Sequence, residues 1–336
     1  MKNHILVTGG AGYIGSHTCK ALSLAGYTPV AYDNLVYGHR RLVKWGPFEE
    51  GDISDEARLR EVINQYRPTA VMHFAAFAYV GESVENPGKY YRNNLAGTLT
   101  LLETIRNCCI KYIIFSSSCA TYGISDDTFI SETHPQNPVN PYGQSKLMVE
   151  QMLRDFDHAH GIKSVALRYF NAAGADPEVE SGEDHIPETH LIPLVLDVAI
   201  GKRPHITVYG DDHATRDGTC IRDYIHVSDL ANAHMLALKA LESGMLSNAF
   251  NLGNGVGYSV REIISASERV TGMTIPTIIG ARRHGDPSHL LADARKAMSQ
   301  LGWKPQYGDI DTIIEHAWNF HKTINHGQRL SGVQKQ

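Results

Sequence analysis

The stretch ILVTGGAGYIGSH, residues 5–17, runs from an apolar strand-like segment through a cluster of glycines into an amphipathic helical pattern. Gly10, Gly12 and Gly15 satisfy G-x-G-x-x-G, and Gly9, Gly12 and Gly15 also satisfy the wider G-x-x-G-x-x-G. Glycines at this spacing let backbone N–H groups and a helix N-terminus approach a pyrophosphate closely. The pattern alone is equally a glycine turn with no ligand, so it needs the right surroundings. Working outward, the strand TPVAYD ends on Asp33. A carboxylate there accepts both ribose hydroxyls and repels a 2′-phosphate, which favours NAD over NADP. GDI at 51–53 then falls where an adenine edge would lie.

Short β-rich runs alternate with helical patterns through the first half of the chain. The expected strands lie near 4–8, 29–33, 69–74, 111–117 and 163–170, and the expected helices near 13–25, 55–66, 87–107 and 142–159. Alternation of this kind, with continuous apolar runs such as AVMHF and YIIFS, implies a parallel sheet covered on both faces. After about residue 174 the rhythm changes. Residues 174–190 are polar, rich in Glu, Asp and Pro, and read as a long surface loop. Isolated elements follow in ITVYGD, the turn RDGT, IRDYIHV and the helical SDLANAHMLALKALES. A further helix starts at SVREI, where Ser259 and Glu262 fit a capping box. The fold expected is α/β, a Rossmann-type doubly wound parallel sheet with a smaller mixed α/β C-terminal lobe for substrate. Residues 1–173 form the nucleotide-binding part, with some later segments returning to it, 174–326 the lobe, and 327–336 a flexible tail.

Bulk composition narrows the function. The 336 residues carry a net charge of −5, 42% hydrophobic and 20% charged residues, so no basic field invites nucleic acid or an anionic membrane. No apolar run approaches the ~20 residues of a membrane helix, and no signal peptide is read at the start. Five cysteines without CxxC spacing read as free thiols in a reducing compartment, so the cytoplasm is expected. The 18 histidines show no H-E-x-x-H pairing, and no metal is expected.

The second informative stretch is PYGQSK, residues 141–146. Tyr142 and Lys146 are four apart after a proline, so a helix starting there puts both on one face. Upstream, YIIFSSSCATYG reads as a central strand ending in Ser116, Ser117 and Ser118 at the sheet's C-terminal edge, where open α/β sheets bind ligands. A phenol with a pKa of about 10 must be lowered by roughly 3 to act as a base near neutrality, about 4 kcal/mol of differential stabilisation. A neighbouring ammonium and an oxidised nicotinamide together offer it.

The order of strand-end serine and Tyr-x-x-x-Lys after a glycine-rich NAD site resembles the extended short-chain dehydrogenase/reductase superfamily. Within it, the segments VTGGAGYIGSHT, YDNL, GDI, HFAAFAYVGESV, YYRNN, SSSCATYG, NPYGQSKLMVE, LRYFNAAGA, DGTCIRDYIHVSDLA, NLGNGVGYSV and RRHGDP resemble the UDP-glucose (UDP-galactose) 4-epimerase family over roughly residues 3–320. Relatives that dehydrate the sugar carry Thr-Asp-Glu where this chain has Ser118-Cys119-Ala120, so the acid that expels a hydroxyl is missing. The resemblance makes Tyr142 the base, Ser118 its hydrogen-bonding partner on the reacting hydroxyl, and Lys146 the third catalytic residue. It places Tyr13, Ile14, Asp33, Asn34, Asp52, Ile53, Phe74, Ala75, Asn93, Ser118, Tyr142, Lys146 and Phe170 around NAD, beside Gly9, Gly12 and Gly15. It places Asn171, His190, Thr207, Tyr209, Arg222, Arg283 and Asp286 around the UDP-sugar. Two guanidinium groups suit a pyrophosphate by charge and fork geometry, though either arginine alone reads as a surface residue. The resemblance further implies tightly held NAD regenerated each turnover, and a homodimer through helices of the NAD domain.

This chain departs from some relatives at Ala78, where they carry a lysine near a phosphate, and at His190, where they carry asparagine. Leu290 falls where side-chain size varies near the sugar, and core packing is an equal reading of it. Alternatives to the hexose epimerase are a 4-epimerase of another UDP-sugar (UDP-N-acetylglucosamine, UDP-xylose), a net reductase, or a non-catalytic NAD-binding sensor on the same fold.

Overall fold

The computed structural model describes residues 3–125, 127–283 and 287–332, with side chains described through 324. The first half carries β1 (His4–Thr8), α1 (Tyr13–Leu24), β2 (Thr28–Asp33), β3 (Phe48–Glu50), α2 (Glu56–Tyr66), β4 (Ala70–His73), α3 (Val80–Glu85), α4 (Pro87–Tyr90), α5 (Thr98–Asn107), β5 (Tyr112–Ser118), β6 (Phe129–Ile130), α6 (Pro141–His160) and β7 (Lys163–Tyr169). The second half carries β8 (Asn171–Ala173), α7 (Leu191–Ala199), β9 (Ile206–Tyr209), β10 (Ile221–His226), α8 (Val227–Glu242), β11 (Asn248–Leu252), β12 (Gly257–Ser259), α9 (Val260–Thr271), β13 (Thr277–Gly280), β14 (His289–Ala292), α10 (Arg295–Gln300) and α11 (Ile310–Gly332).

Seven strands form one parallel sheet in the order β11-β7-β5-β4-β1-β2-β3. Connections run to one side from β1 to β3 and to the other from β4 onward, so a crevice opens at the C-terminal ends of β1 and β4. Both faces are covered, because successive side chains of each strand point to opposite faces. Ile5 and Val7 pack on one side with Leu22 of α1, Leu230 and Leu238 of α8, and Trp303. Leu6 packs on the other with Leu59 of α2, Leu101 and Leu102 of α5, and Val149 of α6.

Later segments complete this first unit, since β11 pairs with β7 and α8 covers the α1 face. The remaining strands form a mixed sheet, β12-β10-β14-β6 with β8 on β10, and a β9–β13 pair, backed by α7, α9 and α11.

Local chemistry explains most element ends. Asn140 caps α6 by accepting the Gly143 N–H at 2.8 Å, Pro141 takes the first helical position, and Gly161 ends the helix in the left-handed region. Ser259 and Glu262 form both bonds of the expected capping box. One expectation needs correcting, and one strand went unread. The helix expected at 87–107 is α4 and α5 separated by a π-helical segment, Tyr91–Gly97, and α3 precedes them. The strand NAFNL joins the main sheet as β11, an edge strand too polar to stand out as an apolar run. The tail expected from 327 continues α11 to Gly332.

Gly9 and Gly15 set the turn between β1 and α1. Gly9 has φ +75° and lies against the Ala75 backbone, while a Cβ on Gly15 would sit 2.1 Å from the Gly9 carbonyl oxygen. A Cβ on Gly12 would meet only that same oxygen, at 3.3 Å. Gly15→Ala should therefore lower unfolding stability by about 2 kcal/mol despite the better helix propensity of alanine, because the clash is with backbone. Gly12→Ala should cost less than about 1 kcal/mol. Urea unfolding of NAD-free protein checks both, and equal midpoints for the two variants would contradict this reading of the turn.

Candidate active site

The residues named from the sequence fall mainly into two groups, one at the C-terminal edge of the main sheet and one across the second lobe. Gly12 is the N-cap of α1, and its side-chain-free position leaves the first turn of the helix open to an anion. Asp33 ends β2 and is almost buried, with its two carboxylate oxygens accepting from the Ala11 N–H at 3.0 Å and the Leu35 N–H at 2.8 Å. Burial pushes this carboxyl up, and the Leu35 and Ala11 donors work against it. Two of its roughly four lone-pair positions remain for hydroxyl groups, and a phosphate there would meet the carboxylate charge. Asn34 donates to Asp52 at 2.7 Å, which joins the ends of β2 and β3, and Ile53 is buried against Gly97. This cradle fits a dinucleotide.

The next walls come from β4 and the π segment. Phe74 and Ala75 follow β4, and Phe74 packs against His234 of α8 with ring centroids 4.6 Å apart. Asn93 donates to Asn94 at 2.9 Å. Asn94, which the sequence reading passed over, is the anchor: it bonds both the N–H and the carbonyl of Phe77 and donates to the Ser145 hydroxyl. The π-helical turn aims it there. His73 was passed over too. It is buried between Thr8 at 2.7 Å and Thr98 at 2.8 Å, and burial together with the Lys146 charge pushes it down to about 3, so it is neutral. Ala78 is exposed and offers no charge.

Ser118 ends β5, and α6 brings Tyr142 and Lys146 against it. The Ser118 hydroxyl accepts from the Ala120 N–H at 3.1 Å and opposes the upward shift of the Tyr142 phenol. Lys146 is buried, and its Nζ donates to the Ser116 carbonyl at 2.7 Å while lying 5.8 Å from the Tyr142 ring centroid. Burial pushes the Lys146 ammonium down to about 7, with Glu150 opposing. Burial likewise pushes the Tyr142 phenol up to about 12, with Ser118 opposing. The sequence reading expected the lysine to lower the phenol. That expectation included an oxidised nicotinamide ring; without it, burial outweighs the other influences on the phenol, and the Lys146 ammonium donates to the Ser116 carbonyl.

On the substrate side, Phe170 is buried with Cys119, Tyr122, Ile130 and Ala292, and Leu290 packs against the same cluster. Asn171 donates to the Asp223 carbonyl at 3.0 Å. Arg222 on β10 pairs with Leu290 of β14 and donates to the Ile221 carbonyl at 2.8 Å. Thr207 and Tyr209 lie on β9, and the Arg283 guanidinium sits over the Tyr209 ring at 4.0 Å. His190 caps α7 by position only, and its Nδ1 is held 2.5 Å from Glu183. Asp286 lies outside the described residues.

A model of the NAD dependent epimerase/dehydratase family matches residues 5–253. A UDP-glucose 4-epimerase of Rhizobium leguminosarum bv. trifolii is 52% identical over 96% of this chain and 98% of its own length. The solved UDP-glucose 4-epimerase from Brucella ovis in complex with NAD is 55% identical, with a TM-score of 0.93 over 95% of this chain and 98% of that one. The Bifidobacterium longum UDP-glucose 4-epimerase in complex with NAD+ and UDP is 40% identical, with a TM-score of 0.91 over 97% of this chain and 100% of that one. The chain therefore belongs to the NAD-dependent epimerase/dehydratase family.

The raised Tyr142 phenol has a direct readout. In NAD-free protein, the tyrosinate absorbance difference between wild type and Tyr142→Phe should stay flat up to about pH 10, where ordinary tyrosines titrate. An additional tyrosinate appearing well below that pH in the wild type alone would refute the account of the phenol.

Proposed function

We propose that this chain is an NAD-dependent UDP-glucose 4-epimerase, interconverting UDP-galactose and UDP-glucose by inverting C4 of the sugar. The observation that carries the reading is the meeting of Ser118 at the end of β5 with Tyr142 and buried Lys146 on α6, at the sheet edge next to the glycine turn. Bound NAD supplies the hydride acceptor and donor for C4, and the positive charge that favours the tyrosinate. Tyr142 takes the 4-hydroxyl proton, with Ser118 orienting that hydroxyl. Arg222 and Arg283 hold the pyrophosphate, Thr207 and Tyr209 line the nucleotide, and Asn171 flanks the sugar. The 4-keto sugar turns about its link to UDP and presents its other face, after which Tyr142 returns the proton. Binding energy must lie in the nucleotide so that the sugar is free to turn.

Glycines at the turn, Tyr13, Ile14, Asp33, Asn34, Asp52, Ile53, Phe74, Ala75, Asn93 and Phe170, with Ser118, Tyr142 and Lys146, are the residues proposed to hold the cofactor. The same reading gives a cytoplasmic protein, supported by five free cysteines, and a homodimer, which the family resemblance implies. Sedimentation at the mass of one chain would contradict the dimer. No described helix is long and apolar enough to cross a membrane.

Purified protein given UDP-galactose without added NAD should build up UDP-glucose anomeric proton signals to a fixed ratio. Tyr142→Phe should lower kcat by at least about 100-fold, the scale of general base loss, and keep its NAD. A Tyr142→Phe protein with full activity rejects the assignment of the base.

A further inference from the structure

The loop 174–190 ends in GEDHIPETH, and it folds two histidines and two glutamates around one point. His190 Nδ1 lies 2.5 Å from Glu183 Oε1 and 3.4 Å from Glu188 Oε1. His185 Nδ1 lies 3.1 Å from the same Glu183 oxygen and 3.9 Å from Glu188 Oε2. One donor atom from each of the four residues lies within 4.8 Å of the others. A tetrahedron of donors about 2.0–2.1 Å from a central zinc has edges of about 3.3 Å, which these separations straddle.

The four side chains meet as ion pairs, and the same donor atoms converge closely enough to hold a cation. Both imidazole nitrogens point at a single oxygen of Glu183, whose side chain is 6% exposed. Holding that arrangement with hydrogen bonds requires a proton on each imidazole nitrogen. His185 Nδ1 faces the same Glu183 oxygen at 3.1 Å. A divalent cation would hold the same arrangement with neutral imidazoles as ligands, and its two positive charges balance the two carboxylates.

We propose that Glu183, His185, Glu188 and His190 form a divalent-metal site, with zinc the ion that the nitrogen and oxygen donors and their spacing fit. Its place gives it a structural role. The His185 ring packs edge-on against Tyr13, the first residue of α1, and against Tyr79, each with centroids 6.2 Å apart. The start of the same loop is already tied down, since the Tyr13 hydroxyl donates to the Gly174 carbonyl at 2.6 Å. Metal at the other end fastens the loop across the glycine turn and fixes His190 at the start of α7. The proposal does not depend on which sugar the enzyme takes.

Chelator-treated full-length protein titrated with cobalt(II) is the test. Wild type should bind one equivalent with visible bands of tetrahedral intensity, and zinc should displace them. The double variant His185→Ala/Glu188→Ala should bind cobalt far more weakly, beyond the roughly 10- to 100-fold loss seen when mere supporting groups are removed. His185→Cys should keep the visible bands and gain thiolate-to-cobalt charge transfer in the near ultraviolet, which reports on this position even if the double variant folds poorly. A wild type without tetrahedral bands, or a His185→Cys protein without the charge-transfer band, overturns the proposal.

Discussion

The working face of α6 is held by one charged pair shut away from water. Arg168 of β7 donates to both oxygens of Glu150, from Nε at 2.9 Å and from Nη2 at 2.5 Å, and both side chains are at most 5% exposed. Ser117 donates to the same carboxylate at 2.6 Å, and the third Arg168 contact goes to the Tyr122 hydroxyl, which in turn donates to Asn251 of β11. Glu150 stands four residues after Lys146 and eight after Tyr142, on the same side of the helix. Three strands and the helix thus meet at one guanidinium. Such a pair adds little over well-packed apolar residues, but removing one partner leaves a buried charge worth about 3–5 kcal/mol. What it supplies is orientation, since no apolar contact specifies the rotation of α6 so narrowly.

That orientation puts a phenol and an ammonium where the protein disfavours the charged form of each. Burial raises Tyr142 and lowers Lys146, and Ser116 takes the hydrogen bond that the ammonium would otherwise direct elsewhere. A resident cofactor with a positive ring is therefore an electrostatic part of the base as well as the redox partner. Neutral His73 adds no competing charge beneath it.

Legibility in the sequence followed the range of the interaction. The glycine turn was legible because steric demands at Gly9 and Gly15 leave a residue-type signature, and Tyr142 with Lys146 because helical spacing is local. Asp33 was legible as the end of an apolar strand. The contacts between distant segments were not. Arg168 and Glu150 are 18 residues apart on different elements, Asn94 reaches Ser145 across 51, and nothing in either stretch announces its partner. The π-helical turn that aims Asn94 has no spacing of its own to detect. Apart from His190, the GEDHIPETH stretch was read as polar loop, since its histidines and glutamates are spaced irregularly and converge only when the loop doubles back.

The central claim is that hydride leaves C4 and returns to the same carbon within one closed site. UDP-galactose carrying deuterium at C4, incubated with protein and its resident NAD in ordinary water, tests it most directly. The account predicts UDP-glucose with the deuterium retained at C4. Product that has lost the label to solvent would contradict it, because the hydrogen would then have moved as a proton.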